Sequence, residues 1–397
     1  MTPRKRWRTL FFRGVEPVSG NLIRLLQNGA DFFPALIAAI DAAHTEVHLE
    51  TYIFNADRSA NAVREALMRA ARRGVRVRLL IDGVGSRELP VAWLDEARAA
   101  GVGVLAYRPL VGRWRSNPRN LRRLHRKVAV IDARIAFVGG MNIMDDFEPV
   151  RFDAPRLDFS VEVQGPLIAP IHHGVEHLWH LVTLTQLQAE KAGPPRIKPS
   201  WPTDGNVRAA YVVRDNFAHR RDIERAYLAA LALARDEIVI ANSYFLPGRR
   251  FRKVLKKAAA RGVKVCLLVQ GHTDHPFFQA AARALYRDLL AAGVAIHEYQ
   301  ASELHAKVAV IDSRWATVGS SNIDPFSLLL AREANIVVHD AAFSRDLRQR
   351  LHHAIGQSAA LAPADWQRRP WPQRMLSWLA YGSVRFMVGL AGGGRWV

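Results

Sequence analysis

Two copies of the pattern His-x-Lys-x4-Asp occur in this chain, and their side chains can carry nucleophilic and acid–base chemistry. The two copies are His125, Lys127 and Asp132, and His305, Lys307 and Asp312, each followed at the same distance by an asparagine, Asn142 or Asn322. Residues two apart on a strand point to one face, so each His-Lys pair is expected to face a common substrate. Imidazole can act as nucleophile or as acid and base near neutral pH. Lysine and asparagine can bind phosphodiester oxygens and offset charge that develops at phosphorus.

The two aspartates have a weaker connection to that chemistry. Asp132 and Asp312 each end an apolar Val-Ala-Val-Ile run and stand two residues before an arginine. Asp is typical of tight turns, so their positions favour hairpin turns, although the motif includes them in the candidate catalytic set.

The motifs belong to an internal duplication, which is the first feature to seek in any sequence. The matching segments are 46–54 with 237–245, 71–83 with 259–271, 99–107 with 291–299, and 124–143 with 304–323. Two matching sets of reactive residues on a duplicated scaffold are stronger evidence than one. Pairing the halves about a pseudo-twofold axis would surround one point with two imidazoles, two lysines and two asparagines.

Short β-branched runs alternate with longer helical stretches in each copy. This alternation predicts an α/β fold of two duplicated lobes, each a mostly parallel mixed sheet flanked by helices, with one shared active site at their interface. Prolines mark a linker between the copies. The predicted organisation is a first lobe over 1–190, a linker over 191–206, a second lobe over 207–358 and an apolar, arginine-containing extension over 359–397.

The copies differ just before the motif, where the first carries an insert at 108–123 that is rich in arginine and contains no acidic residue. Such a loop beside a reactive histidine could bind a phosphate head group or a membrane. Arg113, Arg115 and Arg119 are the candidate binding residues. The alternative is a solvated basic loop.

Bulk composition indicates an anionic partner. The chain has 397 residues and a formal net charge of +20, which suits phospholipid, nucleic acid or a negatively charged membrane. Its single cysteine, Cys266, excludes a disulfide within the chain, and the apolar stretch near the N-terminus is too short for a signal peptide or membrane span. These features predict a protein that remains cytoplasmic.

A metal-free site is expected, because no further carboxylate cluster accompanies the motifs. A histidine-rich tract spans residues 172–180. Leucine and tryptophan between those histidines favour a packed helix over a metal site.

The paired motifs resemble the signature of the phospholipase D superfamily, over roughly residues 30–355. The resemblance implies two α/β lobes meeting at the active site. It also implies that one histidine attacks phosphorus to form a phosphohistidine while the other serves as acid and base. We assign these roles to His125 and His305 respectively. Acidic residues that orient the histidines in this family match Glu333, in REANIVV, and Asp158, in RLDFSVEVQGP.

Several stretches are more similar to the bacterial cardiolipin synthase branch, and to its B-type subgroup, than to other branches. They include FVGGMNI, VQGHTDHPF and the long segment from His305 to Val338. The resemblance implies phosphatidyl transfer between two phosphatidylglycerol molecules without a cofactor, at the cytoplasmic face of the inner membrane. The alternatives are a phospholipid hydrolase and a nuclease. Residues 371–397 are interpreted as an interfacial helix, or else a helix packed on the protein's own core.

Overall fold

The computed structural model describes residues 16–109, 122–147, 152–186, 198–201, 205–272 and 275–390. The first half contains seven strands, β1 (Val18–Gln27), β2 (Glu46–Thr51), β3 (Arg76–Asp82), β4 (Gly103–Tyr107), β5 (Lys127–Ile131), β6 (Ile135–Gly139) and β7 (Phe159–Gln164). Its helices are α1 (Asn28–Asp41), α2 (Arg58–Arg72), α3 (Val91–Ala99) and α4 (Ile168–Thr185).

The second half repeats this succession. Its strands are β8 (Val207–Arg214), β9 (Glu237–Asn242), β10 (Lys264–Gln270), β11 (Ala295–Tyr299), β12 (Lys307–Ile311), β13 (Trp315–Gly319), β14 (Glu333–His339) and β15 (Ser358–Ala360). Its helices are α5 (Asp222–Leu233), α6 (Arg249–Ala260), α7 (Pro276–Leu290), α8 (Pro325–Leu329), α9 (Ala341–Gly356), α10 (Pro363–Gln367) and α11 (Trp371–Leu390).

The described strands form one sheet in the order β15-β11-β10-β9-β12-β13-β14-β8-β1-β7-β6-β5-β2-β3-β4. The α/β class and the duplication are confirmed, but the expected mostly parallel pairing is wrong. Parallel pairs are confined to β2-β3-β4 and β9-β10-β11, and the other neighbouring strands pair antiparallel. Helices connect the parallel strands, whereas β5 and β6, and β12 and β13, follow each other through tight turns that require antiparallel pairing.

The halves join through β1 and β8, which pair antiparallel at Val18 with Ala209 and Asn21 with Val207. The motif strands β5 and β12 share the sequence KVAVI and are buried along their length. Their alternate valines pack into one apolar core that draws residues from both halves. The two motifs are therefore anchored in a common core.

The proposed linker over 191–206 lies largely outside the described residues. After it, the C-terminal segment returns to the second half, where β15 pairs with the edge strand β11 and α11 packs against α7. Within the described residues, no helix is sufficiently long and apolar to traverse a bilayer.

Candidate active site

Each motif histidine is held by a carboxylate from the opposite half of the chain. His125 Nδ1 lies 2.9 Å and 3.1 Å from the two carboxylate oxygens of Glu333, which begins β14. His305 Nδ1 lies 2.6 Å from Asp158 Oδ2, just before β7. Because Nδ1 faces the carboxylate in both cases, Nε2 is the ring nitrogen available for chemistry. The predicted orienting residues thus lie at the histidines, but the pairing crosses between the halves.

The backbone repeats this crossing. The His125 amide donates to the Arg332 carbonyl at 2.9 Å, and the His305 amide donates to the Leu157 carbonyl at 2.9 Å. Arg332 and Leu157 each stand directly before the carboxylate residue that holds the histidine. Both histidine segments are consequently fixed by two kinds of contact from the other half, which places the two motifs in one site.

The motif lysines are buried beside the histidines. Lys127 Nζ donates to the His125 carbonyl at 2.7 Å and lies 5.4 Å from the centroid of the Tyr52 ring. Lys307 Nζ donates to the carbonyl of His305 and to Ser243 Oγ, the latter at 3.1 Å. Tyr52 and Ser243 occupy equivalent positions in ETYIF and ANSYF, so the two lysines have different neighbours at matching places.

Burial controls the charges at this site. It lowers the pKa of Lys127 to about 7 and that of Lys307 to about 8, because a charged ammonium loses its hydration there. It also lowers the pKa of both histidines, and the positive charges of the two motif lysines lower each further. Burial raises the pKa of Asp158 to about 6. Several groups can therefore gain or lose a proton near neutrality.

Sequence reasoning missed a pair of residues that position the motifs. Asp82, at the end of β3, accepts the Leu124 amide at 2.8 Å, and Gln270, at the end of β10, accepts the Leu304 amide at 2.7 Å. Both act on the residue directly before a histidine. Asp82 and Gln270 align in the repeated segments LLIDG and LLVQG. The sequence did not suggest a shared role, because one residue is an acid and the other an amide.

The two motif asparagines are both buried. Asn142 lines a small pocket together with Asp158 and His305, and its Oδ1 accepts the Ile53 amide at 3.1 Å. Asn322 is buried, and its Oδ1 has no hydrogen-bond partner among the described residues.

The two motif aspartates contact backbone amides at the starts of strands, and their inclusion in the catalytic set stays a prediction. The Asp132 carboxylate accepts hydrogen bonds from the backbone amides of Glu46, the first residue of β2, and of His44 and Thr45 just before it, at 2.8–2.9 Å. Asp312 does the same at the start of β9. Both residues adopt positive φ, as turns require. Five strand residues at about 3.3 Å each separate them from the motif histidines.

The arginine-rich insert is described only at its ends. Arg113, Arg115 and Arg119 lie outside the described residues, so their predicted role stays a prediction. Arg123, at the end of the insert, has a structural role, because its guanidinium forms a salt bridge with the buried Asp82 carboxylate at 2.6 Å.

One cluster away from this site has metal-binding residue types. Glu46, His48, His172 and Glu176 offer four ligand atoms within 4.8 Å of one another, between β2 and α4. Arg76 pairs with Glu46 at 2.5 Å, and Arg78 pairs with Glu176 at 3.3 Å. Since arginines already neutralise both carboxylates, a divalent cation would add uncompensated charge to a buried layer. The cluster fits an ion-pair network better than a metal site.

The arrangement can perform group transfer at a phosphodiester. One Nε2 can attack phosphorus while the other donates a proton to the leaving oxygen, and the two lysine ammonium groups can bind the non-bridging oxygens. Two histidines, each ordered by a carboxylate across a duplicated interface, define the class as a phospholipase D-type phosphodiester-transfer site.

Comparison with known proteins agrees with this class. A family model described as "Cardiolipin synthase, PLD-like domain" matches residues 36–146 and 227–355. The chain is 40% identical over 388 residues to cardiolipin synthase B of Salmonella typhi, covering 94% of this chain and 90% of the relative. It is 39% identical over 384 residues to cardiolipin synthase B of Escherichia coli K12, with the same coverage. The chain belongs to the phospholipase D-like cardiolipin synthase family.

A solved structure supports the fold independently. The phosphatidylserine synthase of Haemophilus influenzae Rd KW20 superposes with a TM-score of 0.72, covering 98% of this chain and 99% of that one. At 12% sequence identity this likeness concerns the fold alone.

Proposed function

We propose that this protein is a cardiolipin synthase that transfers the phosphatidyl group of one phosphatidylglycerol to the glycerol hydroxyl of another. The products are cardiolipin and free glycerol. The observation that carries the proposal is the pair of histidines, each held through Nδ1 by a carboxylate of the opposite half, in a chain about two fifths identical to cardiolipin synthases B.

In the first step, His125 Nε2 attacks phosphorus, a P–N bond forms and the P–O bond to glycerol breaks. The leaving glycerol oxygen takes a proton from His305. In the second step, His305 removes the proton of the acceptor hydroxyl, whose oxygen attacks phosphorus and releases His125. Atoms and charge balance over the two steps, and no metal or cofactor takes part.

The surroundings of the histidines support this division of roles. Glu333 is fully buried, faces His125 with both oxygens and accepts Ser320 Oγ at 2.5 Å, which suits the positive charge of a phosphohistidine. Burial raises the pKa of Asp158 to about 6 and lowers the pKa of His305 well below its usual value, so the His305 imidazole gives up a proton readily, which suits the acid role.

The remaining site assignments are part of the same proposal. Lys127, Lys307, Asn142 and Asn322 hold the phosphate oxygens, and Arg113, Arg115 and Arg119 bind the anionic lipid surface. The enzyme acts as a peripheral protein at the cytoplasmic face of the inner membrane. Its basic charge suits anionic lipid.

The test uses purified protein with phosphatidylglycerol vesicles and, separately, with DNA. Cardiolipin and glycerol are the expected products, and activity survives a chelator. Phosphatidic acid alone would indicate a hydrolase, and cleaved DNA without lipid turnover would indicate a nuclease; either result rejects the proposal.

Histidine variants test the mechanism. His125→Ala and His305→Ala should each lower turnover by about 10³-fold or more, since each removes an essential group. His305→Ala protein mixed with phosphatidylglycerol should retain a phosphatidyl group on His125, detectable by mass spectrometry. If the adduct instead forms on His305 in the His125→Ala protein, and none forms on His125 in the His305→Ala protein, the two roles are exchanged.

A further inference from the structure

Helix α11 has two faces of different character. One face packs into the core of the second half through residues that recur every three or four positions: Ser377, Ala380, Tyr381, Val384 and Val388. This packing joins α11 to α7 and α6 and fixes its orientation on the protein. Helix α11 is therefore packed as an integral part of the second half.

The opposite face is apolar and exposed. It carries Trp371, Met375, Leu376, Trp378, Leu379, Phe386 and Met387, each at least 38% exposed. At about 100° per residue, Met375, Leu379 and Phe386 form a stripe opposite Val384. No other described element presents more than two large exposed apolar residues. An apolar patch of this kind marks an interaction surface.

Positive charge borders this face. Arg374 is exposed on α11, and the neighbouring helix α6 exposes Arg249, Arg250, Lys253 and Lys257 and contains no acidic residue. Contact between the helices is direct, because the Arg252 guanidinium lies 6.0 Å from the Tyr381 ring centroid. Apolar and aromatic side chains beside a row of cations are the chemistry that an anionic bilayer surface binds.

The border also lies near the active site. Helix α6 begins at Arg249, six residues after Ser243, whose hydroxyl contacts Lys307 Nζ. The start of α6 and the reactive lysine therefore share one edge of the sheet. Because Tyr381, at the middle of α11, contacts the Arg252 guanidinium in the first turn of α6, the middle of α11 lies near that edge.

We propose that the exposed face of α11 and the basic residues of α6 together form a docking surface for a bilayer of anionic phospholipid. The helix lies in the plane of the head groups, and the cations of α6 contact lipid phosphates. This surface brings the active-site edge of the second half to the lipid. The inference rests on the proposed function in that it assumes substrates held in a bilayer.

Binding is tested by co-sedimentation with vesicles of phosphatidylglycerol and phosphatidylcholine, and with pure phosphatidylcholine. Leu379→Ser with Phe386→Ser should weaken binding to the mixed vesicles by about tenfold or more, because two apolar side chains no longer enter the interface. The matched control is Leu184→Ser with Leu233→Ser, whose side chains are 71% and 70% exposed on α4 and α5. The control should bind like the wild type.

The charged part of the surface has its own variant. Lys253→Gln with Lys257→Gln should weaken binding to the mixed vesicles about threefold to thirtyfold, with an effect that shrinks at high salt. Equal binding by wild type and both surface variants overturns the proposal. So does an equal loss in the control variant.

Turnover separates this inference from the proposed function. On a short-chain phosphatidylglycerol below its micelle concentration, the α11 variant should retain wild-type turnover while losing it on vesicles. Vesicle binding that follows the prediction without any cardiolipin would reject the proposed function and keep the docking surface.

Light scattering tests whether the exposed face of α11 joins two copies of the chain. A wild-type dimer and a monomeric α11 variant with unchanged vesicle binding would show that it does, which contradicts docking to lipid.

Discussion

The two halves of the chain match at the reactive groups and differ in the layer behind them. In the first half, Glu50 of β2 pairs with Arg126, the residue directly before β5, and both are almost fully buried. Arg126 also donates to the Gly174 carbonyl of α4 at 2.9 Å. The equivalent residues of the second half are Ala241 and Ala306, within an apolar layer. One half thus supports its histidine with buried ions and the other with hydrocarbon.

This difference shows which constraints the chemistry imposes. Both halves keep the carboxylate at Nδ1, the buried lysine and the acceptor for the amide before the histidine. The groups one layer further from the substrate are free to diverge, as are those beside the lysine, where Tyr52 matches Ser243. The two halves therefore share the groups that position the reactive side chains and differ in the residues that pack behind them.

The largest expected effect comes from breaking the ion pair of the first half. Arg126→Ala leaves the Glu50 carboxylate buried without its partner and should lower the free energy of unfolding by about 3–5 kcal/mol. Arg126→Ala combined with Glu50→Ala copies the second half and should recover most of that loss. Denaturant unfolding measures both. A double variant as unstable as the single one would show that the halves cannot exchange their support.

A smaller effect is expected at the motif aspartates, where the halves are alike. Asp132→Ala and Asp312→Ala each remove the acceptor of three backbone amides and should lower the free energy of unfolding by about 1–3 kcal/mol. Turnover of the folded protein should change less than about threefold, because the carboxylates lie far from phosphorus. Asp132→Asn is the milder control. A large fall in turnover at full stability would instead support a catalytic role for these residues.

The smallest expected effect separates the two lysines by pH. A buried lysine is charged only below its lowered pKa, so phosphate binding should weaken as pH rises through about 7 for Lys127 and about 8 for Lys307. Lys127→Arg stays charged and should move the alkaline decline of kcat/KM upward by about one pH unit. Lys307→Arg should leave the decline near pH 7, which belongs to Lys127, unchanged. Identical profiles for both variants and wild type would assign the decline to another group.

Much of the fold and of the site could be predicted from the sequence, because duplication repeats the informative patterns. The motif strands were recognisable from KVAVI beside the histidine in both copies. The antiparallel strands of each lobe could not be paired from the sequence, because the residues of strands such as β7 and β14 do not indicate which strands lie beside them. Helix-linked strands at the start of each copy suggested parallel pairing, and that pattern does not extend past β4 and β11.

The crossed pairing of the histidines is the part of the site that sequence order could not reveal. Asp158 and Glu333 follow the histidines of their own copies, yet each contacts the histidine of the other. Contact across a pseudo-twofold interface depends on how the halves dock through β1 and β8, which no local pattern encodes.

Nuclear magnetic resonance of histidine labelled with ¹⁵N in the ring tests the crossed site most directly. Glu333→Gln should shift the ring resonances and titration of His125 and leave those of His305 unchanged, while Asp158→Asn should do the reverse. Each substitution removes the carboxylate charge at Nδ1 and keeps the side chain's size. A shift of His305 in Glu333→Gln with His125 unmoved would contradict the single shared site.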